Sequence, residues 1–348
     1  MTVDRPVRGR EYPGSYGELL SWFGDDADCR DYLDWLRWPD GFVCPHCGGG
    51  GWRLGDGRWS CGGCARRVSV TAGTIFDGTR TPLTVWFAAA WQMTSQKQGI
   101  SALGLQRVLG LGSYQTAWAM LHKYRRAMVR PGRELLSGHV EVDETIVGGV
   151  IAGVRGRQLG ANALVVIAVE QQEHGLGRCR LQVIAQASTA VLAAFIDANV
   201  SADAVIITDG WPSYYRAVGP REHVRHVLDR RGLTAPELLP GSHRVSSLVK
   251  RWLLGTHQGG VGAAHLQDYL DEFTFRFNRR TSRARGLVFF RLLEQAVATD
   301  PVRYRDLVVE PGTGNRHATA PTGRRLPPDT LAQPPADRPW RKNVPNRP

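Results

Sequence analysis

The stretch VEVDETIVGG, residues 140–149, alternates apolar and acidic residues before it ends in a glycine pair. Alternation with a period of two is typical of a β-strand that has one buried face. Asp143 and Glu144 are neighbours, so a regular strand directs their side chains to opposite faces, whereas Glu141 shares the face of Asp143. An acidic residue weakens a strand unless a partner compensates it. We therefore expect Asp143 to serve a site, and Glu144 to have a supporting or structural role.

The residues that follow predict an α/β domain. Further strands are expected at 163–171, 178–186, 204–210 and 223–228, and helices at 188–199, 245–255 and 265–280. Three strands in succession, followed by alternating helix and strand, predict a mixed sheet with helices packed on it. In the last helix, Tyr269, Phe273 and Phe277 recur every four residues and predict a stripe of core side chains.

A second carboxylate ends another predicted strand. Asp209 follows the apolar run at 205–208 and precedes the turn Gly210-Trp211-Pro212. Polar residues at such positions commonly form sites, although Asp209 could instead cap a helix that begins in WPSYYRAV. Two aspartates on neighbouring strands could bind Mg²⁺ or Mn²⁺ through oxygen, and a pair of such ions serves phosphodiester chemistry.

Four of the six cysteines form two close pairs. Cys44 and Cys47 make one C-x-x-C pair, Cys61 and Cys64 make the other, and thirteen residues separate the pairs. This spacing predicts a Zn²⁺ site with four thiolate ligands, which is structural because it leaves no open position for water. His46 lies inside the first pair, but the four thiolates already complete the shell.

The segments around the cysteines are predicted to be helical. A helix is expected within 14–40, ending at Pro39-Asp40-Gly41, and three more within 82–130. The last two are joined by a short glycine turn with Ser113 as N-cap, and the final helix ends in HKYRR. This is the outline of a helix-turn-helix, although many helical hairpins share it.

The composition indicates a polyanionic partner. The formal net charge is +12 and the isoelectric point is about 9.9, which favours nucleic acid through counterion release. The alternative is an arginine-rich composition without a binding role. No apolar run approaches the ~20 residues that span a bilayer, so we expect a cytoplasmic protein with no membrane partner.

Together these stretches resemble bacterial insertion-sequence transposases of the DDE type that carry an N-terminal zinc ribbon, the ISXO2-like group. The resemblance covers residues 15–300 and depends on LRWPDGFVCPHCG, KQGISALGLQRVLGLGSYQTAWAMLHK, VEVDETIVGG, ITDGWPSYY, LVKRWLLGTHQG and HLQDYLDEFTFRFNRR, in that order. It implies an RNase H-like, retroviral-integrase-like catalytic fold. It also implies metal-dependent cutting and joining of DNA strands at transposon ends.

The resemblance assigns roles to individual residues. Asp143 and Asp209 match the first two acidic positions. The third lies seven residues before a lysine, which is Lys250 here, so His243 occupies the position that is usually glutamate. Seven residues are about two helical turns, so both side chains share one face; Lys250 would contact a DNA phosphate. Imidazole suits Mn²⁺ better than Mg²⁺, and His243 is either a variant ligand or a mark of lost activity.

The sequence patterns and the resemblance together divide the chain into an N-terminal helical segment (1–40), a zinc ribbon (41–72), a helix-turn-helix-like region (73–135) and an RNase H-like catalytic domain (136–300). The remaining tail (301–348) is expected to be disordered, because it is rich in Pro, Arg and Gly and has few apolar residues. Arg155 and Arg157 are further candidates for phosphate contacts, and the alternative is that they belong to a solvated loop. Asn278, Arg279 and Arg280 are candidates too, although the arginines there also favour the helix dipole.

The expected function is that of a transposase. It would bind the terminal inverted repeats of an insertion sequence, cleave DNA with Mg²⁺ or Mn²⁺, and transfer strands to target DNA. Its partners would be double-stranded DNA at transposon ends and target sites, and other copies of the chain in a homo-oligomer on DNA. The protein would be bacterial and nucleoid-associated when bound to DNA. The alternative is an inactive, transposase-derived DNA-binding protein.

Overall fold

A computed structural model describes residues 6–148, 163–226, 235–258 and 261–308. These residues form two compact units. One contains the residues up to Pro131 together with those from Ser282 onward, and the other is Gly132–Thr281. None of the described helices is both long enough and apolar enough to cross a bilayer.

The first unit begins with two helices, where the sequence predicted one. Helix α1 is Tyr16–Trp22 and helix α2 is Asp26–Arg37. Asp25 interrupts them because its extended backbone places its carboxylate on the N–H groups of Ala27 and Asp28, where it caps α2. The local cap therefore outweighs the continuous apolar periodicity.

A small antiparallel sheet follows, in the order β1 (Gly51–Arg53), β2 (Trp59–Cys61), β3 (Arg67–Val68). Its core is aromatic. Phe42 and Trp59 stack with ring centroids 4.9 Å apart, and Trp38 meets Phe42 edge-on. Val68 packs in the same cluster as the cysteines Cys44 and Cys61.

Three helices complete the N-terminal part of this unit: α3 (Leu83–Ser95), α4 (Ala102–Leu109) and α5 (Tyr114–Ala127). Helix α4 ends at Gly110, whose left-handed backbone (φ +62°) suits glycine. Ser113 occupies the N-cap position of α5 as predicted. Its hydroxyl donates to Gln115 Oε1 at 2.7 Å, however, and makes no capping bond to the backbone.

The second unit contains the large sheet. Its elements are β4 (His139–Val147), β5 (Ala163–Gln172), β6 (Gly175–Ile184), α6 (Thr189–Asn199), β7 (Val205–Thr208), α7 (Tyr214–Ala217), β8 (His223–Arg225), α8 (Ala235–Leu238), α9 (Pro240–His257) and α10 (Leu266–Phe277). The strand order is β6-β5-β4-β7-β8. The first three strands are antiparallel, whereas β4, β7 and β8 are parallel. This mixed sheet has the RNase H-like arrangement, which confirms the predicted fold class.

The two faces of this sheet are covered by different helices. Val140 and Val142 pack with residues of α6 and α7 in one cluster. Val165 and Ile167 pack with α9 and α10 in the other. The stripe of aromatic side chains predicted on α10 belongs to that second cluster, as expected.

The edge strand β6 is covered by polar side chains that directly follow α10. Asn278 donates to the carbonyl of Cys179 and accepts from its N–H, at 3.1 and 2.8 Å. Arg280 donates to the carbonyls of Gly177 and Leu176, and Arg279 lies over Phe275 with its guanidinium 3.9 Å from the ring centre. These residues, considered as DNA contacts, are used inside the unit, because an edge strand leaves backbone groups that need partners.

The chain then returns to the first unit through α11 (Arg285–Ala298) and α12 (Tyr304–Leu307). Phe289 of α11 packs against Phe23, Phe87 and Trp91. Helix α11 therefore groups with the N-terminal residues, although the sequence placed it in a catalytic domain that runs to residue 300. Arg155, Arg157 and the tail beyond residue 308 lie outside the described residues.

Candidate active site

The two aspartates follow aligned positions of parallel strands. Strands β4 and β7 pair in parallel with Glu141 opposite Ile207. Two residues further along each strand, the same register brings Asp143 level with Asp209, directly after β7 ends at Thr208. The sheet thus brings together two carboxylates that are 66 residues apart in the sequence.

Asp143 is mostly buried, with 17% of its side chain exposed. Its Oδ1 accepts the N–H of Glu144 at 2.8 Å, and Ser242 Oγ lies 3.3 Å from its Oδ2. Burial raises the pKa of Asp143 to about 6, and the negative charge of Asp209 adds to the rise. A carboxyl group that is costly to ionise beside a second carboxylate is a position where a cation is stabilising.

His243 reaches Asp143 from helix α9. Its Nε2 lies 3.8 Å from Asp143 Oδ2, and 35% of its side chain is exposed. The donor atoms of Asp143, Asp209 and His243 do not all lie within 4.8 Å of one another; the groups of described residues that do so lie elsewhere. Asp143 and His243 are thus in contact range, and Asp209 is the more distant member.

A buried carboxylate positions the start of α9. Glu141 is fully buried, and its Oε2 accepts the backbone N–H of Ser242 at 2.7 Å. The Gln171 side-chain amide donates to its Oε1. Gly241 allows this approach, because a Cβ there would lie 3.0 Å from Glu141 Oε2 and 2.9 Å from Leu176 Cδ2.

The role of Glu141 was not predicted beyond its face of the strand. Its carboxylate sits in the first turn of α9, where free N–H groups and the helix dipole favour negative charge. The sequence signal that could have suggested it is an acidic residue in a buried strand together with a Pro240-Gly241 helix start.

The loop after β7 holds Asp209 through local hydrogen bonds. Asp209 Oδ1 accepts the N–H of Trp211 at 3.0 Å, which is an Asx turn, while the N-cap position of α7 is Ser213. Thr208 is fully buried; its hydroxyl lies 2.9 Å from His223 Nε2 and accepts the N–H of Gly210. Burial lowers the pKa of His223, and Arg225 adds to the effect.

Glu144 lies on the opposite face of β4, as strand alternation predicted. Its Oε2 accepts the hydroxyl of Tyr214 at 2.7 Å. Tyr214 is fully buried, and burial raises its pKa well above the ordinary value. This pair attaches the segment that follows Asp209 to the strand that carries Asp143.

Lys250 lies on α9 seven residues after His243, which is about 10 Å along the helix axis. Its side chain is exposed. It forms no ion pair with another described residue, so its charge is available to a ligand.

The four paired cysteines converge in the first unit. The Sγ atoms of Cys44 and Cys64 are 3.7 Å apart, those of Cys47 and Cys61 are 3.4 Å apart, and all four lie within 4.8 Å of one another. This cluster fits a tetrahedral zinc ion. His46 stays outside it and contacts Arg66 through its Nδ1 at 3.0 Å.

The predicted helix-turn-helix uses much of its basic end for packing. His122 and Arg125 of α5 are buried. Lys123 donates to the carbonyl of Ile75, and Tyr124 to that of Trp86. Burial lowers the pKa of Lys123. The HKYRR segment therefore supports the fold of this unit more than it offers a basic surface.

Two family profiles match the chain. The ISXO2-like transposase domain matches residues 135–278, and the transposase zinc-ribbon domain matches residues 24–67. Together they match more than half of the chain. Residues 135–278 are an ISXO2-like transposase domain.

The matched regions contain the residues described above. The ribbon profile includes Cys44, Cys47, Cys61 and Cys64, and the domain profile spans β4 to α10. A similar curated protein is the uncharacterized protein in transposable element ISH50 of Halobacterium salinarum (strain ATCC 700922 / JCM 11081 / NRC-1), 29% identical over 142 residues. That match covers 39% of this chain and 46% of the relative, so it spans less than half of the relative's length.

Solved structures with some likeness to the transposase are complexes of Mos1. The Mos1 strand transfer complex superposes with a TM-score of 0.28 at 14% identity, covering 61% of this chain and 74% of that chain. A pre-cleavage Mos1 transpososome gives a TM-score of 0.27 at 14% identity, covering 61% and 76%. The RNase H-like assignment depends on the strand order of the sheet and not on these superpositions.

Proposed function

We propose that this protein is an active transposase that binds the terminal inverted repeats of an insertion sequence and catalyses metal-dependent cleavage and transfer of DNA strands. The observation that carries the proposal is the alignment of Asp143 and Asp209 on parallel strands, with His243 Nε2 3.8 Å from Asp143. The substrate would be double-stranded DNA at transposon ends and target sites.

The donor set fits a hard divalent cation. Asp143 and Asp209 offer carboxylate oxygens, which Mg²⁺ and Mn²⁺ prefer, and His243 adds an imidazole nitrogen that suits Mn²⁺. Such ions, when bound, activate the attacking oxygen and stabilise the leaving oxygen in phosphodiester chemistry. The protein's own contribution is to hold these side chains, through Glu141 for α9 and through Thr208 and Tyr214 for the loop of Asp209.

Lys250 would bind DNA next to this site. Its exposed ammonium group lies two helical turns beyond His243, within reach of a phosphate on a strand that enters the site. The N-terminal unit, with its zinc ribbon and helical hairpin, would recognise the transposon ends. Two ends must be held together during transfer, so we expect a homo-oligomer on DNA.

A second candidate function is DNA binding without cleavage. It is favoured by one observation, the imidazole of His243 at the third position, where a carboxylate is usual. Replacing a carboxylate by a neutral ring removes one negative charge and weakens binding of a divalent cation. Such a protein would still occupy the transposon ends.

The proposal is tested by strand cleavage on labelled DNA that carries the element's own ends, in Mg²⁺ and in Mn²⁺ separately. The variants are Asp143→Asn, Asp209→Asn and His243→Ala. Asp203→Asn is the matched control, because Asp203 is an exposed aspartate just before β7. We expect nicking at the ends in the wild type and in Asp203→Asn, with a loss of at least about 100-fold in Asp143→Asn and Asp209→Asn.

Variants of His243 distinguish a metal ligand from a residue that does not take part in cleavage. Loss of cleavage in His243→Ala, with activity in Mg²⁺ raised by His243→Glu, would support a metal ligand at this position. Cleavage that survives His243→Ala would keep the enzyme and remove His243 from its site. Tight end binding with no cleavage in either metal would leave the DNA-binding protein as the function.

A further inference from the structure

The sheet of the zinc ribbon has one row of side chains that its core does not use. Trp52 on β1 lies opposite Ser60 on β2, and Ser60 lies opposite Arg67 on β3. Residues paired directly across strands point to the same face of a sheet. These three residues therefore form one row, which we call the outer face.

The other face of the same sheet is its core. Trp59 and Val68, which are also paired, belong to the buried cluster with Phe42. The indole N–H of Trp59 donates to Asp34 at 2.5 Å, so this tryptophan has both its packing and its polar partner inside the unit. The buried cluster of the ribbon therefore contains none of the outer-face side chains.

Trp52 leaves much of a large apolar side chain in contact with water, which is unfavourable. Its relative exposure is 57%, whereas Trp59 is partly buried. The indole extends over the second cysteine knuckle, since a Cβ on Gly62 would lie 3.6 Å from Trp52 Cζ3. A large ring held over a rigid knuckle is an anchor for a partner at low cost in conformational entropy.

The charges of the ribbon indicate the partner. Arg53 pairs with Asp31, and Arg58 pairs with Asp56 at 2.5 Å. Arg67, in the outer face, forms no ion pair with any described residue. The side chain of the adjacent Arg66 lies 3.0 Å from Nδ1 of His46 and forms no ion pair with a described residue. Positive charge outside any ion pair therefore lies on the same face as the exposed indole, which is complementary to a polyanion.

We infer that the outer face of the ribbon docks on double-stranded DNA, with Trp52 packing in a groove and Arg67 on a phosphate. Two inter-strand spacings separate these residues, about 10 Å. That distance lies between the widths of the minor and major grooves, about 6 and 12 Å, so one duplex can contact both side chains. This inference rests on the proposed function, because it assigns the residues through which the N-terminal unit grips transposon ends.

The test is fluorescence anisotropy of a labelled duplex carrying the element's end, titrated with the full chain at several salt concentrations. The variants are Trp52→Ala, Trp52→Phe and Arg67→Ala. Arg58→Ala is the matched control, since Arg58 is an exposed ribbon arginine already paired with a carboxylate. Zinc content is measured for every variant.

We expect Trp52→Ala to weaken binding about tenfold and Trp52→Phe to retain most of the affinity, because a phenyl ring keeps an apolar surface in the groove. Arg67→Ala should reduce the slope of log K against log salt by about one, and Arg58→Ala should leave it nearly unchanged.

Wild-type affinity and slope in both Trp52→Ala and Arg67→Ala would overturn the inference while leaving the proposed function intact. Loss of zinc from Arg67→Ala would also overturn it, because the arginine would then serve to offset the charge of the thiolates. Equal Trp52-dependent binding of an RNA duplex of the same sequence would overturn the assignment to DNA. Failure of the wild type to bind its own ends at all would instead count against the proposed function.

Discussion

Glu141 on strand β4 accepts a hydrogen bond from the backbone N–H of Ser242, 101 residues later, at 2.7 Å. Two residues beyond Glu141 lies Asp143, and one residue beyond Ser242 lies His243. A single buried contact between a strand and the first turn of a helix therefore sets the approach of these two candidate ligands.

Glu141→Ala should destabilise the protein by about 3 kcal/mol, because it leaves the buried N–H of Ser242 and the partly buried amide of Gln171 without their acceptor. Glu141→Gln should cost about 1 kcal/mol, since its carbonyl can still accept the N–H of Ser242. Urea unfolding measures both values. Glu173→Ala is the control, because Glu173 is exposed at the β5–β6 turn and should change stability by less than about 0.5 kcal/mol. Equal, small effects at the two glutamates would contradict the role of Glu141.

Asp143→Asn should stabilise the metal-free protein at neutral pH. Burial raises the pKa of Asp143 in the folded chain to about 6, above the ordinary value of 3.8. Between these two pKa values the folded state holds a proton that the unfolded state has lost. The contribution of Asp143 to the free energy of unfolding therefore falls as pH rises from about 4 to about 6. Above about pH 6 the ionised Asp143 lowers the free energy of unfolding by an amount on the order of 3 kcal/mol.

The measurement is unfolding in EDTA between pH 4 and pH 8. We expect the advantage of Asp143→Asn at pH 7.5 to vanish near pH 4. Adding Mn²⁺ should then stabilise the wild type more than the variant, since a bound cation offsets the buried charge. If the variant is no more stable than the wild type at pH 7.5, ionisation of Asp143 does not destabilise the folded state.

Metal analysis should return about one zinc ion per chain, held by the four cysteines. Cys61→Ser should remove it and unfold the ribbon, because the short strands β1–β3 have little core of their own. Cys29→Ala is the control: Cys29 is buried but lies outside the cluster, and its loss should leave the zinc content unchanged. A folded, zinc-free wild-type ribbon would contradict the site.

Lys250→Ala should weaken end binding and reduce the slope of log K against log salt by about one, because one phosphate contact is lost. Arg305→Ala is the control. Arg305 is an exposed cation with Asp306 3.9 Å away, and its removal should leave the slope nearly unchanged. If both variants keep the wild-type slope, Lys250 does not bind DNA.

Local sequence patterns predicted most of the elements and their chemistry. Alternation at 140–147 predicted β4, the cysteine spacing predicted the ribbon cluster, and the four-residue recurrence of aromatic residues predicted the buried stripe of α10. These patterns are local, since each depends on residues within one strand, helix or pair of knuckles. The break between α1 and α2 was missed although it is local too, because the apolar periodicity continues across Asp25 and hid the N-cap of α2.

Long-range packing determines which distant residues meet. Parallel pairing of β4 with β7 aligns Asp143 with Asp209, and no local pattern specifies that register. The same is true of the hydrogen bond from Ser242 to Glu141, of Asn278 on the edge strand β6, and of α11, which packs with the N-terminal aromatic residues. Each of these contacts joins segments far apart in the chain, and its energy comes from burying groups that local sequence leaves unpaired.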